Sequence, residues 1–545
     1  MALRYTKYKL NSWGVLSFIF VLLVVMPCMY IFIHLLDKPN ENWYHIKTYL
    51  LKSYVINTIK IVSATSILTM IIGTTLAWLI AAYEFPLRKF FKWALILPLT
   101  VPPYIAAYTY NGVFNYTGVV QKFFRDVMKM NLDQKYFDIM SLKGSVFIFT
   151  VFLFPYVYMI TRAFLEKQSA SLIENARILG RGSISIFLHV ILPISRGAIV
   201  GGVSLVILEV LNDFGVVSYF GVQTFSTAIF KTWFSMGDTS TAVKLASMLM
   251  FTVFILLSTE KWIRGRKKYS YTTAKVRSIV PIKLKGIKAV GAFVYCFFVL
   301  CLGFVIPLLQ LSQWGILTYK QVLNIKFITL IFNTIWVAAI PTITIIIMSL
   351  IVANFCRINN KGISIIFSKI SILGYSVPGA VIAIGVILFM VSLDRHMVWI
   401  YKIIDPSSKT LILSTSIFML IFAYAIRFLA IGYQSIESGF DKTGMKFFEA
   451  SRTLGQNVTR TFFKVDLPMI KPAVISAFAL VFVDIVKELP LTLILRPFNF
   501  NTLSTKTYEY AGNEMIHEAS IPALIIILIS IASVYLLYKI GDKEK

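Results

Sequence analysis

Twelve apolar runs, each near the roughly twenty residues that carry a helix across the hydrocarbon core of a bilayer, leave this chain little choice of architecture. They fall near 13–36, 55–83, 91–110, 144–164, 197–221 and 240–259, and again near 287–311, 326–355, 367–391, 408–433, 472–495 and 519–539. In lipid a span must satisfy its backbone polar groups internally, and runs this long and continuous do so as helices. Charged residues make up 14% of the 545 and hydrophobic ones 57%, where a soluble protein carries about 25% charged residues. The expected fold class is an all-α integral membrane protein of about twelve transmembrane helices.

The net charge of +28 raises nucleic acid as a partner, but the distribution of the charge argues for lipid. Basic residues cluster between spans and mainly on one side: Arg88, Lys89 and Lys92; Arg162, Lys167, Arg177 and Arg181; Arg357 and Lys361. That is the positive-inside pattern. Arg4, Lys7 and Lys9 precede the first run without an acid, and the run itself exceeds a signal-peptide core. An even number of spans then places both ends in the cytoplasm. The loop 111–143, expected outside, holds five basic residues against three aspartates and is long enough for the charge rule to weaken. Cys28, Cys296, Cys301 and Cys356 lie in or beside apolar runs, as packing residues do, and no two of the five histidines are spaced to share a metal.

The chain is also a repeat. Ser171 to Arg196 and Glu449 to Lys471 share one plan: Glu, then Gly six residues on, then nine residues and Val-x-Leu-Pro. Glu174 and Glu449 are 275 residues apart. Asn57-Thr58-Ile59 returns as Asn333-Thr334-Ile335, Val101-Pro102-Pro103 as Val377-Pro378-Gly379, and Thr224-x-Ser226-Thr227 as Thr502-x-Ser504-Thr505. Two like-oriented units of six spans follow, with a pathway between them as the natural place for a substrate. The expected divisions are a unit over 1–260, a linker over 261–286, and a second unit over 287–545. Between Lys261 and Lys288 run ten basic residues, as in a solvated link beside anionic lipid.

Each repeated loop predicts a short helix, a turn at Gly180 or Gly455, and a returning helix opened by Pro193 or Pro468. Ser171 and Glu174 have capping-box spacing, whereas Lys446 stands where the second cap belongs. Here the chain resembles the permease subunits of bacterial ABC importers, whose cytoplasmic signature is Glu-Ala-Ala, three residues, Gly, nine residues and Ile-x-Leu-Pro. Glu174-Asn175-Ala176 and Glu449-Ala450-Ser451 each differ from that triplet by one residue. The resemblance implies two tandem six-helix permease units, with coupling loops 171–196 and 441–471 engaging two separate ATPase subunits. It assigns coupling to Glu174, Ala176, Arg177 and Gly180, and to Glu449, Ala450, Arg452 and Gly455. The two arginines follow each Glu by three residues and suit acidic groups on the ATPase. A substrate-binding protein would deliver cargo from outside the inner membrane. This chain would bind no cofactor itself, ATP and Mg belonging to the ATPase.

Carboxylates within spans are functional candidates by default. Glu209 and Asp213, spaced to share one helix face, return as Asp484 and Glu488, with Lys487 alongside. Two readings stand: acids lining a cation's path, or acids bracketing helix breaks, since Gly215 and Pro490 follow directly. Pro102 and Pro378 belong to the same candidate pathway, because broken helices are tolerated where they line a cavity. Asp213-Phe214-Gly215 resembles a Glu-Phe-Gly of oxyanion permeases. Lys487-Glu488-Leu489-Pro490 leading to Arg496-Pro497-Phe498-Asn499-Phe500 resembles the fused ferric iron permeases, as do Thr224 to Thr227 and Met236-Gly237-Asp238. The resemblance therefore implies iron(III) as cargo, with thiamine, polyamine and phosphonate importers as close relatives. The sequence carries no G-x-x-x-x-G-K-[ST], G-x-S-x-G or H-E-x-x-H, so a transport permease is expected and not an enzyme. An ion-gradient-driven secondary transporter, which also uses repeats and buried acids, is the rival class.

Overall fold

The structure, a computed structural model, describes residues 12–35, 37–130, 132–166, 171–264, 281–359, 362–404 and 411–543. Arg4, Lys7, Lys9, Lys167, Lys361 and the linker stretch 265–280 lie outside the described residues. The first half runs through α1 (Ser12–Leu35), α2 (Leu51–Ala82), α3 (Pro103–Phe114), α4 (Leu142–Glu166) and α5 (Ser171–Ile178). It continues with α6 (Leu192–Asn212), α7 (Gly215–Tyr219), α8 (Phe225–Phe230) and α9 (Thr239–Arg264). The second half holds α10 (Ile287–Leu300), α11 (Ile306–Val322), α12 (Ile325–Ile358), α13 (Ile363–Ser376), α14 (Gly379–Ile404) and α15 (Ile417–Thr443). After these come α16 (Lys446–Thr453), α17 (Lys471–Lys487), α18 (Pro490–Leu495), α19 (Leu503–Gly512) and α20 (Ser520–Lys543). Among the described residues ten helices are long and apolar enough to cross a membrane, or twelve if two bent pairs count as one span each.

Several predicted spans are broken, and proline or a polar pair marks each break. The run 91–110 turns by 91° between Arg88–Thr100 and Pro103–Val127, where Pro102 and Pro103 remove two backbone donors. The run 367–391 divides at Val377-Pro378 into α13 and α14. The runs 197–221 and 472–495 divide after Asn212 and Lys487. The proline of each repeated loop, Pro193 or Pro468, does not open the returning helix as expected. Helix resumes earlier, at Ser183–Ile186 and Val458–Thr461, and passes through matched π turns, Phe187–Ile191 and Phe462–Asp466. A proline ring clashes with the carbonyl four residues back, so the wide turn just ahead of Pro193 and Pro468 accommodates it.

The first helix of each half packs against the other half. Trp13 and Val21 of α1 share an apolar cluster with Ile346, Val352, Phe367 and Tyr433. Tyr30 Oη lies 3.0 Å from Ser392 Oγ on α14, and the Trp13 and Phe462 rings are 4.8 Å apart. Reciprocally, Ala289, Ala292 and Cys296 of α10 join a cluster with Leu76, Phe91 and Phe154. A two-residue parallel bridge, Tyr83–Glu84 with Ile282–Lys283, ties the start of the second half to the first.

Within each half the repeat preserves the packing while moving the residue that permits it. Gly73 of α2 lies so close to α4 that a Cβ there would meet Val157 Cβ at 2.7 Å. The repeat-related pair is Ser349 and Gly432: the glycine now stands on the facing helix, and a Cβ on it would meet Ser349 Oγ at 2.7 Å. Either arrangement lets two helices approach closely, which is how helices gain contact where lipid offers no hydrophobic drive. Gly73→Ser alone is expected to destabilise by about 1–3 kcal/mol through overpacking, and Val157→Gly in the same chain to recover part of the loss, since Phe154 O and Tyr158 N also stand 3.0 Å from the added Cβ. Melting temperature and monodispersity after detergent extraction read this out; a single variant as stable as the parent would refute it.

Candidate functional site

The two repeated stretches around Gly180 and Gly455 fold alike. Gly180 has φ +76° and Gly455 φ +81°, the left-handed conformation that disfavours any side chain. Gly180 N–H donates to Arg177 O (2.9 Å) and Arg181 N–H to Ala176 O (3.0 Å). Gly455 N–H donates to Arg452 O (3.1 Å) and Gln456 N–H to Ser451 O (3.2 Å). Both helices therefore end in a Schellman motif. The Ser171 side chain expected to cap α5 lies outside the described residues, and α16 begins at Lys446 with no side-chain cap. Ala176 is buried, in one apolar cluster with Ile186. Its counterpart is Ser451, whose hydroxyl meets Thr461 Oγ1 at 2.9 Å, while Ala450 is exposed. Glu449 and Arg452 are exposed, and Glu174 and Arg177 half-buried. The guanidinium of Arg452 donates to Gln456 O in its own loop.

Sequence reasoning passed over the residue before each glycine. Leu179 is 80% exposed and Leu454 is 81% exposed, at identical places in the repeat. Ile178, Ile184 and Phe447 are exposed around them. The signal was present as a repeated Leu-Gly.

The repeated motifs around the breaks converge on one design. Thr224 caps α8 and Thr502 caps α19, each in a capping box closed by Thr227 or Thr505. Ser226 Oγ donates to Asp213 O at 2.7 Å and Ser504 Oγ to Glu488 O at 2.9 Å. Thr58 Oγ1 accepts from Phe225 N (3.3 Å) and Thr334 Oγ1 from Leu503 N (2.8 Å). The acids cap the helices beyond the breaks: Asp213 Oδ1 accepts from Val216 N at 2.8 Å and Glu488 Oε1 from Leu491 N at 3.1 Å. Each acid pair therefore does not simply share a helix face, because the helix stops before its second member. Bracketing a break is what Asp213 and Glu488 are seen to do.

Between the halves these breaks line a cavity of about 110 Å³. Glu209, Asp213, Asp484 and Glu488 all border it, with Pro102, Lys487 and Arg427. Pro378 precedes Gly379, whose N–H donates to Asn212 Oδ1 across the halves at 2.6 Å. Arg427 Nη1 reaches the same oxygen at 3.0 Å, and its Nε faces Glu488 Oε2 at 3.4 Å. Tyr375 Oη donates to Glu209 Oε1 at 2.5 Å, again across the halves, and Tyr156 Oη lies 3.5 Å from that oxygen. Lys487 Nζ lies 3.3 Å from Asp484 Oδ1. Tyr104 also lines the cavity, and its buried hydroxyl has no partner among the described residues. A search for paired acids could not find Arg427, Tyr375 or Tyr104, because none of them repeats. A lone arginine in the apolar run 408–433 was the available signal.

Duplicated helical bundles, meeting at broken helices around an internal polar cavity, define a membrane transport permease. The chain belongs to the family of binding-protein-dependent transport system inner membrane components, whose model matches residues 48–263 and again 345–544. Both matches leave out α1 and α10, the helices that pack on the opposite half, and also α11. Among curated relatives, the Fe(3+)-transport system permease protein FbpB 2 of Haemophilus influenzae is 26% identical over 494 residues, 89% of this chain and 90% of the relative. The probable ABC transporter permease protein y4fN of Sinorhizobium fredii is 21% identical over 553 residues, 95% of this chain and 92% of its own. The molybdenum transport system permease protein ModB of Escherichia coli K12 is 24% identical over 215 residues, 38% of this chain and 91% of the relative.

Proposed function

We propose that the chain is the permease of an ATP-driven importer of ferric iron, working with two ATPase subunits and a substrate-binding protein. It would lie in a bacterial inner membrane with both termini cytoplasmic, as units 1–260 and 287–545 joined by the basic segment 261–286. The reading is carried by the full-length likeness to an Fe(3+) permease, and the cavity supports it. Its polar lining is dominated by carboxylates and phenols, four acids against Arg427 and Lys487. Hard oxygen donors of that kind suit a small highly charged cation, and the excess of acid disfavours the oxyanions suggested by the molybdenum relative. Each coupling helix would engage one ATPase, so that ATP binding moves the halves and opens the cavity to one side and then the other.

The test is reconstitution with the ATPase in lipid, adding binding protein loaded with iron(III). ATP hydrolysis is expected to rise several-fold over the unloaded protein. Stimulation by a thiamine, polyamine or phosphonate carrier, with none from the iron carrier, would remove the iron assignment. Purification of the chain without any ATPase, together with uptake driven by an ion gradient, would remove the importer class.

A further inference from the structure

Arg427 is the arginine set between the two breaks, sharing the cavity with Lys487, and it has no counterpart in the repeat, where Phe152 stands instead. It is only 4% exposed, and burying a guanidinium in a membrane protein is costly unless it is fully partnered. Its partnership is incomplete. The contact to Glu488 is an ion pair at 3.4 Å in which Nε makes no hydrogen bond among the described residues. Glu488, by contrast, is fixed as the cap of α18. The carboxylate is thus anchored to backbone, while the arginine is held through its ion pair and the Asn212 bond at the end of a long side chain.

The local backbone is shaped around this arginine. A Cβ on Gly379 would meet Arg427 Nη1 at 2.6 Å and Glu488 Oε1 at 3.0 Å; the repeat-related residue, with no arginine to admit, is Pro103. Across the cavity, a Cβ on Gly215 would meet Tyr104 Cβ at 2.5 Å and Leu489 Cδ2 at 3.0 Å. That close approach places Tyr104 beside both breaks. It is 4% exposed, lines the cavity, and leaves its hydroxyl unpartnered among the described residues. A buried polar group without a partner is uncommon in a finished site. In this conformation no three acidic, histidine or cysteine side chains among the described residues converge closely enough to hold a metal ion.

We propose that Arg427 is a resident counter-charge: it occupies the cation-binding position of the cavity when no cargo is present, and a hard multivalent cation displaces it to bind the Tyr104 hydroxyl and the carboxylates of Asp213 and Glu488. Displacement also breaks the Arg427–Asn212 bond between the halves, so cargo entry loosens the contact between them. The inference rests on the cation reading above and names one of the two cations that offset the four acids of the empty cavity.

The test uses terbium(III), a hard trivalent ion whose luminescence is excited through nearby tyrosine, titrated into the full chain in lipid nanodiscs. Arg427→Gln is expected to bind Tb3+ about tenfold or more tightly than the parent, since a unit charge a few ångströms away is removed. Arg427→Lys is expected to bind as weakly as the parent, and Glu488→Gln added to Arg427→Gln to cancel the gain. Asn212→Ala keeps the charge but frees its tether, and is expected to tighten binding by a smaller factor even if Arg427→Gln does not fold. Unchanged affinity in Arg427→Gln or in Asn212→Ala, or a gain that survives Glu488→Gln, would overturn the proposal. If Tb3+ behaves as proposed while iron-loaded binding protein fails to stimulate hydrolysis, the counter-charge stands and the iron reading falls. The opposite pair of results keeps iron and removes the counter-charge.

Discussion

Replacing Leu179 and Leu454 together by arginine is expected, on the importer reading proposed above, to strip the ATPase from the purified complex while leaving the chain itself as stable as before. Both side chains are about four-fifths exposed, at 80% and 81%, so the fold draws little from them. Burying a leucine at an interface stabilises by about 1.5–3 kcal/mol, and two of them reach roughly a hundredfold in affinity or more. Each leucine immediately precedes a glycine whose left-handed backbone turns the chain away, leaving the side chain at the tip of the helix. Co-purification of ATPase with the double variant, and its melting temperature, are the measurements. A full complement of ATPase on the double variant would show that the coupling helices dock through other groups. The single variants are expected to lose less, because one hook remains.

Removing Arg357 is expected to destabilise the second half by about 3–5 kcal/mol, because it strands a buried carboxylate. Arg357 Nη2 lies 2.7 Å from Asp466 Oδ2, with side-chain exposures of 9% and 1%. The guanidinium also stacks on Phe440 of α15 at 4.2 Å and on Phe448 of α16 at 5.3 Å. One side chain thus ties α16 to two spans, α12 and α15. The first half solves the same problem without charge: Ala81 and Ile191 stand at the repeat-related positions, both buried. The double variant Arg357→Met with Asp466→Val is therefore expected to recover most of the stability lost in Arg357→Ala, since apolar groups of comparable volume replace buried ion pairs at little cost. Thermal unfolding in detergent compares the three. An Arg357→Ala chain that melts with the parent, or a double variant no better than the single, contradicts the argument.

These two cases mark where the sequence was readable. Leu179 and Leu454 repeat, as do the capping threonines and the acids before Gly215 and Pro490, and repetition exposes a shared backbone task. Arg357, Asp466, Arg427 and Tyr375 do not repeat. Their partners come from distant segments, and the two halves solve one packing problem with different chemistry. Gly73 with Val157 and Ser349 with Gly432 carry this furthest, since the same close approach is permitted by a glycine on opposite helices. A position-by-position comparison of the halves sees a mismatch there, whereas the contact is conserved.

The sequence alone determined the membrane class, the duplication, the approximate spans and the two repeated helix–glycine turns. Each of these is written locally, in runs of apolar residues matched to a bilayer and in glycines and caps that act within a few positions. Only the tertiary structure decided that the first helix of each half packs on the other. It alone decided that the second acid of each pair caps a helix beyond a break, and that one unrepeated arginine stands between the breaks. Those outcomes depend on which surfaces meet across hundreds of residues, and a buried charge is matched by whatever the fold brings within a few ångströms of it, not by its neighbours in the chain.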